Sequence, residues 1–116
     1  MDKNQIIEAF ATAHADALYA GTDLHSQKRQ EVIDGLQKYS PSNLKEVFDD
    51  FVVLFVQSNH DIEDHEEYGL YAMNPEWGGD LSEHPRYEEF LEEMEINYAT
   101  EVILPVVEKT LGLTLD

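Results

Sequence analysis

Residues 60–69, HDIEDHEEYG, place five carboxylates and two histidines in one short run. On a helix, His60 and Asp64 stand at i, i+4, as do Asp61 and His65, so each pair shares a face. Imidazole with carboxylate suits zinc, manganese or iron, which makes His60, Asp61, Asp64 and His65 the metal candidate of this chain. The patterns that would strengthen it are missing. An HExxH pattern from His65 fails because position 69 is Gly. A calcium loop from Asp61 fails as well, with Glu66 where glycine is needed and Ala72 where the bidentate glutamate belongs. No Glu-x-x-His of the di-iron type occurs at any of the five histidines. No metal and no cofactor are therefore expected. Paired carboxylates without a positioned partner nominate no acid and base, and a Gly-rich phosphate loop and a Ser-centred elbow are both absent, so catalysis is not expected.

The second acidic segment is RYEEFLEEMEINYATE, residues 86–101, with six carboxylates and one Arg. On a helix Tyr87, Phe90, Leu91, Met94 and Tyr98 form the core stripe, Glu88, Glu92 and Glu95 one outer row, and Glu89 and Glu93 a second. Five carboxylates over about 12 Å of axis give one charge per ~2.4 Å, comparable with one per ~1.7 Å along duplex DNA. Like charges at i, i+4 cost a helix a few tenths of a kcal/mol per pair. The pairs 88/92 and 89/93 have no lysine between them. A face selected for solubility alone would mix signs, so the sequence accepts a local penalty that a basic partner would explain.

Net charge is −18, and its placement is uneven. Residues 1–45 carry six acids and five Lys or Arg, whereas residues 46–108 carry eighteen acids and only Arg86 in opposition. General acidification, as in adaptation to high salt, would spread over the whole surface. Direct nucleic-acid binding is opposed by repulsion from phosphates. The longest apolar run, FVVLFV at 51–56, is far short of a membrane span of ~20 residues. The N-terminal sequence lacks the pattern of a secretory signal, and there are no cysteines, so a cytoplasmic location is expected.

These residues need elements to hold them, and helical periodicity dominates. Residues 1–116 are expected to form a single all-α domain of four to five helices. The first covers about 4–20, capped by Asp2 or Asn4, with Ile6, Ile7, Phe10, Ala13, Ala17 and Leu18 inward and Gly21 ending it. His14, beside that face, is expected to be a hydrogen-bonded core or boundary residue, and His25 and His84 local capping or solvent residues. A second helix follows at about 27–39, capped by Ser26 and weakened by Gly35, with Val32, Ile33 and Leu36 inward. The third, about 43–58 with Ser40 or Ser42 as cap, is apolar nearly all round, which predicts a central position. An α+β alternative pairs 51–58 with 68–74 as a hairpin, because both are rich in β-branched and aromatic residues. Residues 74–84 read as a loop, where Trp77 is expected to close the core. The last helix runs from Pro85 to about 111 and should kink or split at Pro105.

In charge and predicted helicity the chain resembles a loose group of small acidic helical inhibitors of nucleic-acid-binding proteins. That group includes phage anti-restriction DNA mimics and nuclease immunity proteins. No motif is shared, so the resemblance assigns no residue. It implies a partner: a basic protein, of the nucleic-acid-handling kind, with a homodimer as a further expected assembly. The expected footprint is Glu88, Glu89, Glu92, Glu93 and Glu95, extended by Asp61, Glu63, Asp64, Glu66 and Glu67 and anchored by Tyr68 and Tyr71. The competing expectation is an interaction module that binds through the aromatic loop and carries acid for solubility. The metal-binding reading of the 60–65 segment stands third.

Overall fold

The structure is a computed structural model that describes residues 2–115, and it is all-α: among these residues there is no strand. Helix α1 spans Lys3–Tyr19 and α2 His25–Lys38. Helix α3, Leu44–Phe51, runs straight into a π-helical segment, Val52–Val56. Two single turns, α4 (His60–Glu63) and α5 (Leu70–Met73), lead to a 3₁₀ turn at Leu81–Glu83. Helix α6, Tyr87–Asn97, passes through a second π-helical segment, Tyr98–Ile103, into α7, Leu104–Leu111. The proposed hairpin is thus replaced by a π segment and a helical turn.

The central element is α1 rather than the 43–58 helix. It lies against α2, α3, the second π segment and α7. Its alanines explain this. Ala9, Ala11, Ala13 and Ala15 are buried together with Ile6, Ile7 and Phe10, so neighbours approach closely on several sides. Phe10 meets Phe51 with ring centroids 5.3 Å apart, and Phe48 at 6.2 Å. Each such side chain contributes about 1.5–3 kcal/mol when fully buried. Helix α3 is amphipathic instead: Leu44, Val47 and Phe51 are buried, while Val53, the second residue of the π segment, is exposed.

Caps follow the sequence only in part. Asp2 closes α1 with a full capping box, in which Gln5 answers its backbone N–H. Ser26 lies inside α2, whose N-cap Leu24 offers no side-chain bond. Asn43 caps α3 by accepting from the Glu46 N–H at 2.9 Å. Ser42 instead donates, from backbone and hydroxyl, to the Glu46 carboxylate, which is held below its usual pKa by these two bonds. Helix α6 starts at Tyr87, with Pro85 in the turn before it.

Pro105 splits the last helix as its missing N–H demands. It sits in the first turn of α7, and the turns preceding it widen to π geometry. Gly35 has a packing reason: a Cβ there would lie 2.6 Å from Phe55 Cζ, so α2 can receive that ring only at glycine. Gly69 is tighter still. Its Cβ would fall 2.8 Å from the His65 backbone nitrogen and closer to the carbonyls of Glu63 and His65. The chain after the acidic run therefore folds directly back onto α4.

Candidate anionic interface

On α6, Glu88, Glu89, Glu92 and Glu93 are all exposed, while Met94 and Tyr98 are fully buried and Tyr87, Phe90 and Leu91 are half-buried. The amphipathic split expected of this segment is therefore present. Glu88 and Glu89 also occupy the first turn, where the helix dipole favours negative charge. The rows are not equivalent. Glu89 accepts from the Arg86 guanidinium at 2.8 Å, which ties the second row to the one local cation. Glu95 is only half-exposed and accepts from the backbone N–H of Ser58 at 3.0 Å. Glu88 and Glu92 remain without an ion pair among the described residues. Ile96, 60% exposed, lies between the two rows at 3.6 residues per turn, an apolar contact amid carboxylates.

The 60–67 segment docks beside α6. Ser58 holds Glu95 at one end, and the Tyr87 hydroxyl donates to Glu63 Oε1 at 3.1 Å at the other. The acidic segment is thus tied to α6 through Glu95 and Tyr87, while Asp61, Asp64, Glu66 and Glu67 gather beside Leu18 and Tyr19 at the end of α1. Asp61, Asp64, Glu66 and Glu67 are exposed. Asp61 also accepts from the Tyr19 hydroxyl, whose pKa is raised by burial first and by this bond second.

Glu63 departs from the expected footprint. It points inward and is 9% exposed, because the α4 turn places it, next to Ile62, on the side packed against the core. Burial raises the Tyr87 pKa first, and the negative charges of Glu63 and Asp80 raise it further. Tyr68 is half-buried, stacked on His65 with ring centroids 4.2 Å apart and packed against the core. It is a structural aromatic more than an outward anchor. Tyr71 is 48% exposed and accepts from the Leu81 N–H at 3.2 Å, which leaves its ring on the surface.

The metal candidate is not assembled. Among the described residues no group of three or more His, Asp or Glu side chains is placed to share an ion. His65 Nδ1 accepts from the backbone N–H groups of Glu67 and Tyr68, Asp61 serves Tyr19, and His60 lies against Glu63. The i, i+4 geometry fails because α4 is a single turn ending at Glu63, so Asp64 and His65 leave the helix.

Two features escaped sequence reasoning, the exposure of Trp77 and the groove around it. Trp77 is 39% exposed rather than closing the core, and meets His84 edge-on at 4.5 Å. With Met73, Asn74, Pro75, Glu76, His84 and Phe90 it lines a groove of about 520 Å³. His84 accepts the Arg86 backbone N–H and touches Phe90, so it organises this groove. At the centre, His14 is buried as expected, with Nδ1 2.8 Å from the Tyr98 hydroxyl, and burial lowers its pKa to about 4.

The comparisons return nothing: no family model matches the chain, and neither a curated protein nor a solved structure does. No described helix is long and apolar enough to cross a membrane.

Proposed function

We propose that this protein is a small acidic inhibitor or regulator that occupies the basic groove of a nucleic-acid-handling protein. One observation carries the reading. The Glu88, Glu92 row is exposed and lacks an ion pair among the described residues, and Asp61, Asp64, Glu66 and Glu67 add further exposed carboxylates on a segment tied to α6 through Glu95 and Glu63. Carboxylates at a density near that of a nucleic-acid backbone would steer the protein to a basic groove and compete there with phosphates. Ile96 and Tyr71 supply apolar contact within the charged field. Such a partner would be intracellular, in keeping with the expected cytoplasmic location.

The test is charge reversal. Glu88→Lys with Glu92→Lys should weaken binding to the partner at least about tenfold, and wild-type affinity should fall as salt screens the contacts. Affinity indifferent to both changes removes the anionic surface from the account. A second reading is favoured by the exposed Trp77 and its groove: recognition through the aromatic loop, with acid for solubility. Under that reading Trp77→Ala abolishes binding and salt has little effect.

A further inference from the structure

The cations of this chain are as unevenly placed as its acids. Five of the seven, Lys3, Lys28, Arg29, Lys38 and Lys109, lie on α1, α2 and α7 alongside five acids, so these helices carry no net charge in a chain of −18. The other two, Lys45 and Arg86, are each paired with a carboxylate one turn further on. Of the five, only Lys28 makes an ion pair among the described residues, with Glu31 at 3.6 Å.

A groove of about 390 Å³ opens where α1, α2 and α7 meet. Its apolar lining is Ala9 and Ala13 of α1 with Val106 and Leu111 of α7. Val106 is 50% exposed, a branched apolar side chain left half-uncovered. Arg29 Nε donates to Thr12 Oγ1 at 2.9 Å, which holds the half-buried guanidinium at the groove without neutralising it. Glu8 and Asp16 line the same groove, yet neither pairs with Arg29. Asp16 is bonded to His25 at 2.7 Å, and Glu8 has no ion-pair partner among the described residues.

We propose that this groove is the interface of a homodimer, in which a second copy of the chain docks through the same face about a two-fold axis. Charge decides the occupant. Two chains of −18 repel each other wherever α6 or the 60–67 segment is presented, and Tyr71, Trp77 and Ile96 expose their apolar surface in that region. The α1, α2, α7 face has equal numbers of each sign, so it is complementary to itself. Under two-fold symmetry Arg29 of one protomer meets Glu8 of the other, twice over. The two Val106 side chains enter the facing grooves, where Ala9 and Ala13 permit close approach. A basic partner is disfavoured here by the unpaired Arg29 and Lys109. No residue of the groove belongs to α6 or to 60–67. The dimer therefore leaves both anionic surfaces open, and the inference does not rest on the function proposed above.

Sedimentation velocity of the full chain, from about 1 μM to about 300 μM, tests it by mass action. The mass should rise from 13.3 kDa to twice that and stop, because an isologous contact closes. Val106→Glu should weaken association at least about tenfold with the helical circular dichroism unchanged. Arg29→Glu should weaken it as well, and Arg29→Glu with Glu8→Arg should restore it. Salt should tighten the dimer at least about threefold between about 0.02 M and about 0.3 M, since repulsion between the chains outweighs two rim pairs. That sign is opposite to the one for binding a basic partner. Dilution of the isotope-labelled wild-type chain should move the amide signals of Ala9, Thr12, Ala13, Arg29 and Val106, a readout that needs no variant to fold. A monomer at the highest concentration in about 0.3 M salt overturns the proposal. So does growth beyond two copies, association indifferent to Val106→Glu, or dilution shifts centred on Trp77 or Ile96.

Discussion

Replacing His14 by glutamine should remove a defined part of the protein's sensitivity to acid. The imidazole is enclosed by Phe51, Phe55, Tyr19 and Tyr98, with centroid distances of 5.3–6.4 Å. Burial lowers its pKa from 6.5 to about 4, opposed by the negative charge of Asp61 and assisted by Lys28. The folded pKa lies below the unfolded one, so the unfolded chain takes up a proton that the native state refuses. Stability from this group is complete above about pH 6.5 and is lost progressively as the pH falls towards about 4. A shift of that size corresponds to about 3 kcal/mol in full, of which roughly 2 kcal/mol falls between about pH 7 and about pH 5. Glutamine can still bond Tyr98 but cannot titrate. Urea unfolding followed by circular dichroism suits a helical chain whose single Trp lies on the surface. Wild-type stability should fall relative to His14→Gln by about 2 kcal/mol over that interval. The comparison cancels the relief of carboxylate repulsion, which acts on both proteins. Parallel loss in the two would refute a neutral buried histidine.

Other outcomes follow from the same contacts. Gly69→Ala drives a methyl group into the backbone of Glu63 and His65 and should cost about 2–3 kcal/mol, read as a lower urea midpoint. Glu92→Gln relieves the i, i+4 repulsion with Glu88 and should raise stability by about 0.2–0.5 kcal/mol while weakening partner binding. A gain in both would mean that the row is not a binding surface. The melting temperature should rise between about 0.02 M and about 0.3 M salt, because screening relieves crowded carboxylates. A flat or falling profile would mean that the fold already compensates them.

How much was legible depended on whether a residue's fate was local. The stripe Tyr87, Phe90, Leu91, Met94, Tyr98 and the break at Pro105 follow from helix period and a missing N–H, and both are present. Caps were less secure, since Ser40, Ser42 and Asn43 compete within four residues and the winner depends on where the first turn closes. The π segments left no mark in the periodicity, because one added residue per turn is decided by packing. Glu63 was illegible in a run of acids: nothing local separates it from Asp61 or Asp64, and only Tyr87, on another helix, marks it as buried. Gly69 entered the sequence reading only as the residue that breaks an HExxH pattern, yet it is the contact that folds the acidic run back.

Capture from the native host's lysate on immobilised protein, with and without excess duplex DNA, tests the central claim most directly. The account predicts that a DNA- or RNA-handling protein is retained and that duplex DNA displaces it. Retention of a partner that DNA cannot displace, and that Trp77→Ala no longer retains, would contradict the account and place recognition in the aromatic groove.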